Sequence, residues 1–140
     1  MFWNREFVNG PLGLTPGDAK PNGMILGYPV ITSGEFAHRG SFINLLGDRY
    51  EEDRALTSLE NQVSADTPPT FLWHTWDDAC VPVENSLLLA TALRKNGVPT
   101  ELHILPSGPH GLSLATAETG VVQEACAGWP DWATRWLWDL

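Results

Sequence analysis

Residues 70–111 read TFLWHTWDDACVPVENSLLLATALRKNGVPTELHILPSGPHG and contain two short apolar stretches separated by an amphipathic one. The apolar stretches, residues 70–74 and 101–105, have the length of buried strands. Between them, residues 81–96 carry apolar side chains at helical spacing, and Pro82 suits the first helical position. We therefore predict a strand–helix–strand unit, in which the helix makes the crossover that parallel pairing requires.

A third apolar stretch, MILGYPVI at residues 24–31, lies upstream of this unit. Its continuous apolar character predicts a strand buried on both faces, and Pro29 predicts that the strand ends before that position. Further helices are predicted at residues 41–46, 49–62 and 130–139, with another starting within residues 112–118. Strands that alternate with helices predict an α/β fold with about three parallel strands, a crossover helix and flanking helices.

The chain has 140 residues, enough for one domain and too few for two. Apolar residues make up 43% and charged residues 18%, a balance typical of a packed core. Residues 1–23 are rich in glycine and proline and predict loops and turns. We therefore treat residues 1–140 as a single domain, in which residues 24–140 carry the predicted strands and helices.

The charge balance and the apolar runs exclude several classes of function. The formal net charge is −9, and no basic stripe is present to bind a phosphate backbone, so nucleic-acid binding is not expected. No stretch approaches the ~20 apolar residues of a membrane span. The N-terminus lacks a basic start followed by an apolar run, which predicts a cytoplasmic protein if Met1 is the native start.

Cysteine and histidine spacing predicts neither a disulfide framework nor a metal centre. Cys80 and Cys126 are predicted to be free, buried thiols, with a single disulfide between them as the alternative. No two histidines have the spacing of metal ligands, so no metal site and no cofactor are expected.

Polar residues follow the second and third predicted strands. Loops after parallel strands emerge at one edge of the sheet, so Asp78 and His110 are predicted to meet there. A carboxylate bonded to one imidazole nitrogen orients the ring and stabilises the imidazolium that forms when the other nitrogen takes a proton. As alternatives, Asp77 or Asp78 serves the start of the following helix, and His110 is a plain turn residue.

The remaining histidines and the tryptophans near the C-terminus are also candidates for binding or packing roles. His38 and Arg39 follow the first strand at the same edge and are candidate substrate-binding residues, with a solvated loop as the alternative. His74 is predicted to end its strand and shape the acid loop, and His103 to pack within its strand. Tryptophans at positions 129, 132, 136 and 138 have the spacing of core residues on a helix, with a sugar-stacking platform as the alternative.

Three separated segments together resemble the α/β-hydrolase superfamily. They are H-x-x-x-D-x-x-V-P over residues 74–82, G-P-H-G over residues 108–111, and GYPVITSGEFAHRGSF over residues 27–42. They are most similar to the acetyl-esterase/lipase-like branch that includes xylan and other carbohydrate esterases. The resemblance implies that the chain is the C-terminal part of such a fold, with Asp78 as the triad acid and His110 as the general base. Asp77 is the rival acid, and the D-x-x-V-P spacing favours Asp78.

The family's nucleophile lies on a G-x-S-x-G elbow that precedes the acid and the histidine in the chain. No segment upstream of residue 24 resembles that elbow or the glycine-rich oxyanion segment. Ser113, in a G-x-S-x-A sequence, belongs to the histidine loop itself, and no strand leads into Ser41. As a whole, the resemblance implies a carboxylic-ester hydrolase that acts on a small-molecule or carbohydrate acyl ester. Its triad serine is absent from this chain, which is expected to be inactive alone; the alternative is a non-catalytic α/β binding or assembly module.

The first predicted strand has a further consequence for association. In the family fold, residues 24–28 would pair with the nucleophile strand. Without that neighbour the strand presents an apolar open edge, which is an association hazard. We expect poor solubility, self-association through this edge, or its coverage by residues 1–23.

Overall fold

The computed structural model describes all 140 residues. Its centre is one parallel sheet of three strands, in the order β1 (Met24–Gly27), β2 (Thr70–Thr75) and β3 (Thr100–Leu105). The strands start level with one another, since Thr70 lies opposite the first residue of each neighbour. The predicted α/β class and the three parallel strands are confirmed.

Five α-helices accompany the sheet: α1 (Glu6–Asn9), α2 (Arg39–Leu46), α3 (Tyr50–Asp53), α4 (Glu84–Lys95) and α5 (Trp129–Trp138). Single turns of 3₁₀ helix occupy Gly10–Leu12, Gly47–Arg49, Leu59–Gln62 and Ala117–Thr119. None of the helices combines the length and the apolar character needed to cross a bilayer.

Apolar side chains cover both faces of the sheet, and β2 lies between them with all six residues buried. Successive side chains of a strand point to opposite faces, so Phe71 and Trp73 face one core while Leu72 faces the other. The first core also contains Leu112, Ala115, Cys126, Ala133 and Trp136. The second also contains Ile31, Leu89, Leu93 and Val98. The central strand is therefore buried on both faces, which agrees with the short apolar stretch that predicted it.

The crossover helix α4 begins three residues later than residue 81, where the sequence placed its start. Residues 79–83 remain part of the acid loop because the side chain of Asp78 accepts the backbone N–H groups of Cys80 and Val81. Pro82 therefore precedes the helix and does not occupy its first position; its carbonyl accepts the N–H of Asn85.

The prediction that β1 is buried on both faces is wrong. Ile25 is 39% exposed, because β1 is an edge strand that pairs only with β2. The strand does end before Pro29, as predicted.

Two predicted helices are also wrong. Residues 49–62 break into α3 and a 3₁₀ turn, because the N–H of Leu59 donates to the distant carbonyl of Ile31 and the hydroxyl of Ser58 accepts the N–H of Ser33. Residues 112–118 coil instead of starting an α-helix. Ser113 and Ala115 both have positive φ there, which an α-helix does not accommodate.

The terminal helix packs its aromatic face on the sheet. Trp136 is buried, Trp129 stacks on Trp73 at 5.3 Å and Trp132 stacks on His103 at 4.8 Å between ring centroids. Three of the four tryptophans are thus packing residues, as predicted. The fourth, Trp138, is 85% exposed. Both cysteines are free thiols, Cys126 buried as expected but Cys80 exposed.

Candidate catalytic site

The acid loop and the histidine loop meet at the carboxyl-terminal edge of the sheet. Nδ1 of His110 lies 2.8 Å from Oδ2 of Asp78. The Asp78 side chain is completely buried, whereas 30% of the His110 side chain is exposed. An ionised carboxylate only accepts hydrogen bonds, so Nδ1 carries the proton and Nε2 is the basic nitrogen. Nε2 makes no hydrogen bond with any other residue of the chain.

The Asp78 carboxylate is held by the backbone of its own loop. Its Oδ1 accepts the N–H groups of Cys80 and Val81, each at 2.9 Å. Burial tends to raise the pKa of Asp78, but the Val81 amide, the His110 imidazole and the Cys80 amide outweigh it and hold the pKa below its ordinary value. Asp78 is therefore ionised at neutral pH and does not cap α4.

Asp77 has a different set of partners. Its Oδ2 accepts the hydroxyl of Ser107 at 2.8 Å, and its Oδ1 accepts the N–H of Gly108 at 2.8 Å. The Ser107 hydroxyl and then the Gly108 amide lower the pKa of Asp77. Asp77 thus ties the acid loop to the histidine loop and makes no hydrogen bond with His110.

Gly108 lets the histidine loop lie against β2. Its carbonyl accepts the hydroxyl of Thr75 at 2.7 Å. A Cβ at this position would lie 2.8 Å from Cδ1 of Leu112 and 3.0 Å from Cγ2 of Thr75, closer than carbon atoms pack. The close approach places His110, two residues later, over the end of the central strand.

Tyr28 supports the other side of the imidazole. Its ring lies edge-on to His110, with 4.8 Å between the centroids, and its hydroxyl accepts the N–H of Ser113 at 3.0 Å. Its φ of 38° is uncommon for a residue other than glycine and marks local strain. Sequence reasoning missed this residue; the signal was an aromatic side chain directly after β1, at the edge where the loops meet.

His74 contacts the acid loop, as predicted, but it does not end its strand, because β2 continues to Thr75. Its ring is completely buried, with Nδ1 2.8 Å from the hydroxyl of Ser86 and Nε2 3.0 Å from the carbonyl of Val81. Nε2 is also 3.3 Å from Oδ2 of Asp78. Burial is the largest influence on this group and lowers the pKa of His74.

A cleft of about 650 Å³ opens beside His110. It is lined by Asp77, Ala79, Cys80, Ser107, Gly108, Pro109, His110 and Gln123. His38 and Arg39 do not line it: they lie at the start of α2, where Nδ1 of His38 is 2.9 Å from the Ser41 hydroxyl. Their role in substrate binding stays a prediction.

The chain brings no serine hydroxyl into a hydrogen bond with His110. Ser113 lies in the histidine loop, where its N–H is bound by Tyr28 and its carbonyl by the indole of Trp129. Nor does it bring three or more His, Cys, Asp or Glu side chains together in a group able to hold a metal ion.

Most of the chain, including both loops of this site, also matches a known protein family. The model of the prolyl oligopeptidase family matches residues 29–136. The chain belongs to the prolyl oligopeptidase family. The fold of this family member is that of an α/β-hydrolase, and its relatives confirm the predicted carbohydrate-esterase branch.

Two curated relatives of this family member have names that refer to xylan. The chain is 47% identical over 100 residues to the endo-1,4-β-xylanase B of Butyrivibrio fibrisolvens, covering 71% of the chain and 16% of that protein. It is 38% identical over 109 residues to the acetylxylan esterase of Xylanibacter ruminicola, covering 74% of the chain and 23% of that protein. The chain therefore spans less than a quarter of either relative.

Solved structures of esterases and related hydrolases are also similar to this chain. An acetyl ester-xyloside bifunctional hydrolase from Caldicellulosiruptor lactoaceticus is 50% identical with a TM-score of 0.75, over 85% of this chain and 42% of that one. A carboxylesterase from Lactobacillus plantarum is 28% identical with a TM-score of 0.75, over 97% of this chain and 50% of that one. The chain therefore spans half or less of either structure.

Proposed function

We propose that this chain supplies the general base and the orienting acid of a serine esterase that acts on carbohydrate acyl esters. The observation that carries the proposal is the 2.8 Å contact between Nδ1 of His110 and the buried carboxylate of Asp78. It leaves Nε2 of His110 without an internal partner on a ring that lines the cleft.

The pair performs the proton transfers of acyl transfer. A serine hydroxyl attacks the ester carbonyl while Nε2 of His110 takes its proton, and the same nitrogen then gives the proton to the departing alcohol. Water repeats the sequence on the acyl-serine, releases the acid and regenerates the serine. At each step the Asp78 carboxylate stabilises the imidazolium without taking its proton.

We further propose that the serine lies outside these 140 residues and that the chain alone does not turn over esters. No serine hydroxyl here forms a hydrogen bond with His110, and Ser41 is bound to His38 instead. Carbohydrate esters are favoured as substrates because an acetylxylan esterase and an acetyl ester-xyloside hydrolase are among the relatives.

The first test measures the purified chain with an activated acetyl ester, with and without a serine-directed fluorophosphonate. We expect no inhibitor-sensitive turnover. Turnover that the fluorophosphonate abolishes would show that a serine of this chain serves as nucleophile, which contradicts the proposal.

The second test restores the remainder of the fold. Residues 24–140 replace the matching part of the Caldicellulosiruptor lactoaceticus hydrolase, and deacetylation of acetylated xylo-oligosaccharides is measured. We expect activity that Asp78→Asn lowers by roughly 10⁴-fold and His110→Ala by roughly 10⁶-fold in kcat. The control is His103→Ala, a strand histidine outside the site. A folded chimera without activity would favour the non-catalytic binding or assembly module.

A further inference from the structure

We propose that His74 is a positioning residue that holds the acid loop and the Asp78 carboxylate in place for His110, with its tautomer fixed by the Val81 carbonyl and the Asp78 carboxylate. This inference rests on the proposed function for its catalytic meaning. The contacts that support it lie wholly within the chain and do not involve the cleft.

His74 links three elements. The ring belongs to β2, its Nδ1 lies 2.8 Å from the hydroxyl of Ser86 on α4, and its Nε2 lies 3.0 Å from the carbonyl of Val81 in the acid loop. The residues His74, Val81 and Ser86 are each no more than 1% exposed. Buried hydrogen bonds of this kind are strong constraints, because a partner that moves leaves a polar atom without water or protein to satisfy it.

The partners determine which nitrogen carries the proton. A backbone carbonyl and a carboxylate only accept, so Nε2, which faces Val81 O and Asp78 Oδ2, must be protonated. In a neutral ring Nδ1 is then the acceptor, and the Ser86 hydroxyl donates to it. Burial, by lowering the pKa of His74, keeps the ring neutral and agrees with this assignment.

The neutral state allows His74 to position Asp78 without neutralising it. Its single N–H points between the Val81 carbonyl at 3.0 Å and Oδ2 of Asp78 at 3.3 Å, so the hydrogen bond goes to the nearer carbonyl. The carboxylate experiences the positive end of this N–H but no full positive charge. The charge of Asp78 therefore stays available to the imidazolium that forms on His110.

The test uses the purified chain and needs no ester turnover. Histidine-labelled protein is examined by NMR to assign the ring tautomers and the solvent exchange of the Nδ1–H of His110. We expect His74 to be neutral with its proton on Nε2, and His74→Phe to speed the exchange of the His110 proton by at least tenfold. His74→Gln can donate to the same acceptors and is expected to recover most of the protection.

A matched control is His103→Phe, which removes another strand histidine that contacts a carboxylate, Glu101 at 2.7 Å. It should leave the His110 proton unchanged. If circular dichroism shows that His74→Phe is unfolded, Ser86→Ala provides the second measurement. It removes the donor to Nδ1 while Val81 and Asp78 still require a proton on Nε2. We therefore expect the tautomer of His74 to be kept, the ring to be held less firmly, and the exchange rate of the His110 proton to rise.

Two results would overturn the inference: a wild-type His74 protonated on Nδ1, or a His110 proton that exchanges at the same rate in the folded His74 variant or, where that variant is unfolded, in Ser86→Ala. Failure of the proposed function is distinguishable from either. An inactive, folded chimera with the NMR results as expected would reject the esterase while leaving the positioning of Asp78 by His74 intact.

Discussion

The two neighbouring aspartates of the acid loop have separate tasks. Asp78 binds the imidazole of His110, while Asp77 binds the hydroxyl of Ser107 and the N–H of Gly108. One carboxylate therefore orients the ring, and the other fixes the loop that carries it. His110 can accept a proton in the right geometry only if its ring is oriented and its backbone is held, so it depends on both carboxylates.

Replacing Asp77 tests this division of tasks. In Asp77→Ala the Gly108 amide loses its acceptor, so we expect its hydrogen exchange to accelerate severalfold. The amides of Cys80 and Val81, which bind Asp78, should exchange as in the wild type. Exchange measured by NMR decides the matter, and an unchanged Gly108 amide would show that Asp77 does not hold the loop.

Gly108 is the second residue on which the loop depends. Gly108→Ala inserts a methyl group 2.8 Å from Leu112 and 3.0 Å from Thr75, so we expect a loss of about 1–3 kcal/mol in the free energy of unfolding. The control is Gly17→Ala, where a Cβ meets nothing within 4 Å, with an expected change of about 0.5 kcal/mol or less. Urea denaturation measures both, and equal stabilities would contradict the packing argument.

Among the elements, α4 connects the core to the site. Its Leu89 and Leu93 pack on Leu72 of β2, while its Ser86 donates to His74 in the same strand. The helix thus anchors the central strand by apolar contact on one side and by a hydrogen bond near the acid loop. Substitutions that weaken the packing of α4 are therefore expected to destabilise β2, the strand that precedes Asp77 and Asp78.

Two leucines on this helix offer a matched pair. Leu89 is completely buried, so Leu89→Ala is expected to cost about 2–5 kcal/mol of unfolding free energy. Leu88 is 37% exposed on the same helix, and Leu88→Ala should cost less than about 1 kcal/mol. Thermal and urea unfolding measure the difference; similar costs would show that α4 does not pack as described.

For the molecule as a whole, the open edge of β1 is the feature that most affects behaviour in solution. The amides of Met24 and Tyr28 donate to β2 or its flank, and the alternate amides at Ile25 and Gly27 face away from the sheet, where no strand lies. The N-terminal residue Met1 packs against the core on the α4 side but adds no strand beside β1.

We expect this edge to associate with a second copy of the chain. Sedimentation should show concentration-dependent dimers or larger species, and Ile25→Lys should shift them toward monomer, because an edge lysine opposes pairing. Leu45→Lys changes an exposed leucine on α2, 69% accessible and outside the sheet, and should leave the distribution unchanged. A wild-type monomer at all concentrations would contradict the expectation.

The buried imidazole also makes stability depend on pH. Burial lowers the pKa of His74, so below about pH 6.5 the unfolded chain binds a proton that the folded protein does not. The free energy of unfolding therefore falls as pH drops from about 6.5 to the folded pKa of this group. At lower pH the unfolded chain also protonates Asp78, whose folded pKa is depressed, and stability falls further.

The variant His74→Gln removes the part of the pH dependence of stability that comes from protonation of His74. Between about pH 6.5 and 5 its stability should decline less steeply, by up to about 1.4 kcal/mol per pH unit for the one missing proton. Urea unfolding across this range compares the two slopes, so the lower overall stability of the variant does not matter. Parallel curves would show that folding does not lower the pKa of His74.

Local pattern was sufficient for the strands, the crossover and the meeting of Asp78 with His110. Periodicity and chain length report which segments are buried, and parallel strands deliver their following loops to one edge whatever the remaining sequence is. The prediction of a helix over residues 49–62 failed because helix propensity does not record that the N–H of Leu59 donates to the distant carbonyl of Ile31.

Contacts between distant residues depended on the assembled fold. The D-x-x-V-P spacing favoured Asp78 as the acid, but it does not show that Asp77 binds Ser107 and Gly108, since adjacent side chains diverge according to how their loop closes. Tyr28 and Ser86 reach the site from β1 and α4, elements far from the histidine loop in sequence. Burial on all sides then gives His74 its neutral state and its tautomer, because the surrounding donors and acceptors exist only once the three elements pack together.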